Sequence, residues 1–215
     1  MGASHDDKDR PAHTGLGRVS RSSAGSAGGA FGDDAASPSP AQLPVIPPVY
    51  TLELAEAKIV QGRVNGTISG TNFVADAAIL DIATNMHTLT IRQGTNYYSD
   101  REIVVFFRPR PGETLEGKTY AFNKDQKNGA PQIMKRWKTA PKIAAQQKSY
   151  NNGCVLRVEF GSAKFNGAVP GKIYAALPDP EQTVVSGIFE ATVRDPVLEE
   201  QRRKMRLLLG RDFDQ

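Results

Sequence analysis

The sequence predicts an all-β protein, a two-layer antiparallel β-sandwich, and two observations lead to this prediction. Beyond Val49, short runs of alternating apolar and polar residues are separated by Gly, Asn, Asp and Pro about every ten residues, which is typical of sandwiches and barrels. No segment before residue 195 has the length and periodicity of an interior helix. A closed β-barrel is the alternative architecture, because it produces the same alternation.

The first part of the predicted domain alternates apolar and polar side chains over several short strands. The apolar phase switches near residue 54, which predicts a β-bulge there. A polar turn at 83–87 joins two of the strands. The predicted strands of this part are 64–68, 75–82 and 88–92.

One strand differs from the others because it is apolar at almost every position. Residues 103–107 read Ile-Val-Val-Phe-Phe, so the strand 101–107 needs cover on both faces and belongs in the centre of a sheet. Further strands are predicted at 118–122, 133–137 and 154–160.

The last predicted strands form a hairpin. Residues 172–177 and 183–193 pair across the turn 178–181, which has the sequence Pro-Asp-Pro-Glu. The side chains predicted to share its inward face are Val185, Phe189, Ala191 and Val193.

Composition divides the chain into three parts. Residues 1–48 are rich in Gly, Ser, Ala and Pro and poor in large apolar side chains, so we expect a disordered tail that acts as a tether. Residues 49–195 form the β-sandwich domain. Residues 196–215 form an amphipathic C-terminal helix and the chain end, because Asp195 can cap, Pro196 suits the first turn, and acidic residues precede basic ones.

The C-terminal helix is a candidate contact for a partner. Its apolar stripe can pack on its own sandwich, on another protein or second subunit, or on a membrane surface. The predicted partner-binding residues are Leu198, Arg202, Met205, Leu208 and Leu209.

A basic segment at 124–148 is the second candidate contact. It contains seven Lys or Arg residues and one acid, Asp125, around Trp137, and cations beside an aromatic ring suit nucleic acid or an acidic glycan. A solvated edge strand protected by lysines would have the same composition. The candidate anion-binding residues are Lys135, Arg136, Trp137, Lys138 and Lys142.

Other constellations point to little chemistry. There is no Gly-x-Ser-x-Gly motif, His87 is expected in an exposed turn, and the single cysteine, Cys154, is expected to be buried and inert. Neither zinc-site spacing nor a phosphate-binding glycine loop occurs, so no metal and no cofactor are expected. Tyr97 and Tyr98 are a further candidate contact. The carboxylate pairs considered for hydrolysis are Asp76 with Asp81, Asp100 with Glu102, and Asp179 with Glu181.

These observations favour a non-catalytic structural or protein-interaction module. In this interpretation the tail is the tether and the C-terminal helix contacts a partner or a second subunit. The alternative is a binding module for an anionic polymer through the basic segment, and a hydrolase using turn carboxylates is a third hypothesis. The absence of a signal peptide or an apolar run of about eighteen residues favours a cytoplasmic location.

Overall fold

In a computed structural model of the chain, eleven β-strands among the residues it describes join into one hydrogen-bonded sheet. The structure describes residues 43–83, 85–94, 99–110, 112–126, 128–195, 200, 201, 203 and 204. The strands are β1 (Asn65–Ile68), β2 (Thr71–Val74), β3 (Ala77–Ala83), β4 (Met86–Gln93), β5 (Arg101–Phe107), β6 (Thr119–Phe122), β7 (Gln132–Trp137), β8 (Gln146–Tyr150), β9 (Val155–Phe160), β10 (Val169–Ala176) and β11 (Val184–Arg194).

The sheet order is β6-β9-β10-β11-β3-β4-β5-β7-β8, and the β1–β2 hairpin joins the edge of β11 through β1. Every strand pair is antiparallel except β11 with β3, which run parallel from Ala191 opposite Ala78 to Arg194 opposite Asp81. The strand β5 lies between β4 and β7, which confirms the prediction of a central strand. The predicted hairpin is also confirmed as the β10–β11 pair.

The sheet curls into an open half-barrel. The all-β class is confirmed, whereas a two-layer sandwich is not confirmed, because the described strands belong to one continuous sheet, and no closed barrel is seen in them. Aromatic contacts join distant strands across the concave side: the ring centroids of Phe107 on β5 and Tyr120 on β6 lie 4.9 Å apart. The two halves of the curled sheet therefore share one core.

That core fills the concave face because each strand places every second side chain there. On β4 the inward residues are His87, Leu89 and Ile91, and on β11 they include Val185, Phe189 and Ala191, as the sequence predicts for the hairpin. The structure corrects the prediction for His87. Its imidazole belongs to a strand and is buried, because it shares the inward phase of Leu89 instead of standing in a turn.

The convex face of β9, β10 and β11 is covered by residues 50–59. This segment contains no strand, so the predicted bulge near residue 54 is wrong: Leu52 and Leu54 pack as irregular cover and pair in no ladder. Tyr174 is fully buried beneath it. The Tyr174 hydroxyl accepts a hydrogen bond from the Thr51 N–H at 2.9 Å, which fixes the segment to the sheet.

Candidate functional site

Lys135, the centre of the predicted basic contact, points into the molecule. It lies on the inward phase of β7 with Ile133, and its side chain is only 2% exposed. Its ammonium nitrogen lies 2.7 Å from Asp179 Oδ2 and 3.3 Å from Glu181 Oε2, and the Asp179 side chain is fully buried. Lys135 is therefore an interior member of an ion pair and offers no charge to a polymer at the surface.

The turn between β10 and β11 holds Asp179 in place. Its Oδ1 accepts a hydrogen bond from the Thr183 N–H at 2.7 Å, and its backbone carbonyl accepts one from the Gln182 N–H. The ion pair thus connects β7 with a turn 44 positions along the chain. Its position indicates a structural tie between opposite parts of the curled sheet.

Burial and neighbouring charge act in opposite directions on Asp179. Burial alone raises the pKa of this carboxyl group, but the hydrogen bonds from Lys135 and Thr183, together with the Lys135 charge, outweigh burial and lower its pKa. Burial, followed by the Asp179 charge, raises the pKa of the Tyr150 hydroxyl and raises that of the Cys154 thiol to about 12. Cys154 is buried, which confirms its prediction, and its thiol stays protonated at neutral pH.

Arg136 and Lys138 lie beside carboxylates of the neighbouring strand region. Arg136 Nη1 is 3.0 Å from Glu102 Oε1, and Glu102 also accepts a hydrogen bond from the Ser99 hydroxyl at 2.5 Å. Lys138 Nζ is 3.3 Å from Asp100 Oδ1. These acids neutralise part of the charge that the composition of the basic segment predicts.

Trp137 is half-buried and packs against the core. The Lys135 ammonium lies 4.8 Å from the centroid of its ring, a cation–π contact inside the protein. One face of the Trp137 ring is therefore in contact with a cation of the protein itself.

One groove on the outside of β7 and β8 keeps a basic lining. Its volume is about 640 Å³, and its lining residues include Arg136, Lys138, Lys142 and the exposed Ile143. The structure thus brings three of the five candidate anion-binding residues together and places Lys135 and Trp137 elsewhere.

Residues 43–49, which end at the predicted start of the domain, Val49, form a second surface. We call this segment the apolar strip. The Pro44 carbonyl oxygen accepts a hydrogen bond from the Arg63 backbone N–H. The Ile46 carbonyl oxygen accepts one from the side-chain amide of Asn65, so the strip lies along the β-domain. Its exposed apolar side chains are Leu43, Val45, Ile46 and Val49, with relative exposures of 45, 52, 40 and 80%.

Two of the carboxylates considered for hydrolysis, Asp76 and Asp179, have structural partners of their own. Asp76 pairs with Arg63 at 3.0 Å and accepts a hydrogen bond from the Gly94 N–H, which uses both of its oxygens. Asp179 and Glu181 converge on Lys135, which both contact. An ammonium held between two carboxylates stabilises their charge, so this arrangement favours structure over proton transfer.

Several predicted contact residues lie outside the described residues. They are Tyr97, Tyr98, Leu198, Arg202, Met205, Leu208 and Leu209. Of the predicted C-terminal helix, Glu200, Gln201, Arg203 and Lys204 are described as helical, and Glu200 forms ion pairs with Arg203 and Lys204.

Sequence reasoning missed the partners of Lys135 and the apolar strip. No local pattern joins Lys135 to Asp179, because only the three-dimensional pairing brings them together. The sequence of the strip did indicate exposed apolar side chains, because large apolar residues among prolines cannot join the interior of a sheet. The period-two alternation of His87, Leu89 and Ile91 would have placed His87 inside.

The fold and these surfaces define an all-β protein with an interior ion pair, a basic outer groove and an exposed apolar strip. No group of three or more His, Cys, Asp or Glu side chains among the described residues is placed to hold a metal ion. Within the same part of the chain, no helix is long and apolar enough to cross a membrane. No protein-family model, curated protein or solved structure matches the chain.

Proposed function

We propose that this chain is a non-catalytic protein-interaction module whose curled sheet displays contact segments to a partner. The observation that carries the proposal is the apolar strip. Four large apolar side chains within seven residues stay at least 40% exposed, although the backbone beside them is hydrogen-bonded to the domain. Exposed apolar groups gathered in one place are typical of protein-binding surfaces.

The composition of the strip fits a partner with an apolar groove. Pro44, Pro47 and Pro48 restrict the backbone, so an extended segment loses little conformational entropy when it binds. The C-terminal helix is the second contact in this proposal, and the N-terminal tail supplies reach.

Replacing Leu43, Val45, Ile46 and Val49 together with Ser tests the role of the strip. The matched control is Ile143→Ser, because Ile143 is also an exposed apolar residue, at 53%, but lies in the outer groove. Affinity capture followed by mass spectrometry, with light scattering for self-association, should show one enriched partner or a second copy that the strip variant loses and the control keeps.

A form ending at Asp195 tests the helix in the same two measurements. If the wild type, the strip variant and the shortened form capture the same proteins and are all monomers, the interaction proposal is wrong. Loss of the partner only in the shortened form would show that the C-terminal helix, and not the apolar strip, makes the contact.

The basic outer groove supports a second candidate function, the binding of an anionic polymer. Arg136, Lys138 and Lys142 line it without an acidic residue among its lining residues. Heparin or DNA retention should then fall with salt and with the charge reversals Lys138→Glu and Lys142→Glu. If neither charge reversal changes the retention on heparin or DNA, the anionic-polymer function is wrong.

A further inference from the structure

An apolar cavity of about 620 Å³ opens beside three neighbouring strands, β11, β3 and β4. The loops β5–β6 and β9–β10, the first residue of β10 and the residue after β11 contribute the rest of its described lining. Its volume lies within the range of about 300–1,000 Å³ that is typical of small-molecule sites. The apolar side chains in the lining include Leu80, Ile82, Leu115, Val169 and Val193.

His87 brings a polar group to this lining. The residue is only 7% exposed, and its Nδ1 has no hydrogen-bond partner within the described part of the chain. A buried polar atom without a partner is unfavourable. Because His87 lines the cavity, a hydrogen-bond donor on a bound molecule is the kind of group that could satisfy this nitrogen.

The charge of the lining restricts what can enter. The lining includes Arg110, Glu113 and Glu116, and Lys118 pairs with Glu113 from outside the lining. These two cations and two carboxylates balance, so the lining offers no excess cation to an anionic ligand such as a fatty-acid carboxylate.

We propose that this cavity is a binding site for a neutral, mostly apolar small molecule that carries one N–H or O–H donor for His87. The apolar walls remove the ligand from water, and the donor satisfies the imidazole nitrogen. This site is separate from the apolar strip and the outer groove, so it stands independently of the proposed interaction function.

The C-terminal segment is the competing occupant. β11 ends at Arg194 and the next residue, Asp195, lines the cavity, so the chain continues from its rim into the predicted amphipathic helix. The test must therefore distinguish a small molecule from the protein's own chain.

The probe N-phenyl-1-naphthylamine matches the proposed ligand, because it is neutral, aromatic and has one N–H donor. Its fluorescence should rise saturably with one site on the full chain. The companion probe 1-anilinonaphthalene-8-sulfonate has the same rings plus an anionic sulfonate. It should bind at least about tenfold more weakly, because the lining has no excess cation to offset the removal of its sulfonate from water.

Two variants locate the site. Ala163→Trp fills the cavity from its exposed rim and should abolish saturable binding, whereas the control Ala144→Trp, in the outer groove, should leave it unchanged. His87→Phe keeps an aromatic ring and removes the nitrogen, and it should weaken binding by about three- to tenfold. The rim variant changes an exposed residue, so its result does not depend on the core.

The proposal is overturned if the full chain shows no saturable enhancement or if Ala163→Trp binds the neutral probe as well as the wild type. Equal affinity for both probes would contradict the neutral ligand class. Binding that appears only in a form ending at Asp195 would show that the protein's own C-terminal segment occupies the cavity, which also overturns the proposal.

Discussion

Lys135 and Asp179 place two opposite charges where almost no water reaches them. Removing such charges from water is costly, and the cost is offset only when geometry and further hydrogen bonds are favourable. Here Asp179 also caps the Thr183 N–H, and Lys135 also contacts Glu181 and the Trp137 ring. Each member of the pair therefore depends on the other.

A double-mutant cycle measures that dependence. Lys135→Met leaves the buried Asp179 carboxylate without its cation, and Asp179→Asn leaves Lys135 with the half-exposed Glu181 as its carboxylate partner. Each change should lower the free energy of unfolding by about 3–5 kcal/mol, the second by the smaller amount. The double variant removes both charges and keeps an acceptor for Thr183, so its loss should be smaller than the sum by about 2 kcal/mol. Urea unfolding provides the measurement.

The exposed pair Lys124 with Glu53 is the matched control for this cycle. The Lys124→Met and Glu53→Gln variants should lower the free energy of unfolding by small and additive amounts, because solvent screens exposed charges. Additivity within about 0.5 kcal/mol at Lys135 and Asp179 would contradict a coupled interior pair.

The same pair predicts a pH dependence. The folded-state pKa of Asp179 lies below its ordinary value of 3.8, so its contribution to stability is present above that value and is lost as the pH falls through the folded-state pKa. The wild type should lose stability relative to the Lys135→Met/Asp179→Asn variant below about pH 4. Thermal unfolding from pH 7 to pH 3 measures this, and a constant difference over that range would refute it.

Cys154 should be unreactive in the folded protein. Burial, with the Asp179 charge in second place, raises its thiol pKa to about 12, so little thiolate exists at pH 8. A chromogenic disulfide reagent should label the native protein only at the rate of unfolding and label it at once in urea. Rapid stoichiometric labelling of the native protein would contradict this burial.

At the scale of elements, strand prediction succeeded where one face is buried. The apolar alternation placed β4, β7 and β9 within a few residues of their bounds, because about half of their side chains meet the core, and the unbroken apolar run placed β5. The strand β8 was missed, since four of its five residues are exposed and polar and carry no period-two apolar signal. β2 was missed as well: it is a short strand after the tight turn at Ser69 and Gly70.

Two glycines allow a matched test of how the elements pack. Gly187 has φ +146°, and a Cβ there would lie 2.6 Å from Val64 Cα, where β11 passes the backbone before β1. Gly70 also has positive φ, +70°, but has no atom within 4 Å of such a Cβ.

Gly187→Ala should therefore destabilise the protein by more than about 2 kcal/mol, whereas Gly70→Ala should cost about 1 kcal/mol of backbone strain. Chemical unfolding of both variants measures the difference. Equal losses would show that the close approach of the backbones at Val64 does not limit the fold.

At the scale of the whole molecule, the sequence predicted the all-β class but not the single curled sheet. A sandwich, a barrel and a half-barrel share the same alternation, and the difference between them lies in which distant strands pair. The parallel contact of β11 with β3 joins residues more than a hundred positions apart, and no local pattern specifies it. The contact of Lys135 with Asp179 depends on the same long-range arrangement.

This arrangement also decides which surfaces are available to a partner. The basic segment looked like the main contact in the sequence, but the fold turns Lys135 inward and sets Arg136 and Lys138 beside acids. The four apolar side chains of the strip stay at least 40% exposed, although its backbone is anchored to the domain. We therefore propose that a partner is recognised first through apolar contact.

The most direct measurement compares affinity capture and light scattering of the wild type, the variant with Ser at positions 43, 45, 46 and 49, and the Ile143→Ser control. The account predicts that the wild type and the control retain the same partner or the same self-association, and that the strip variant loses it while remaining folded. Identical capture and identical mass for all three folded proteins would contradict recognition through the apolar strip.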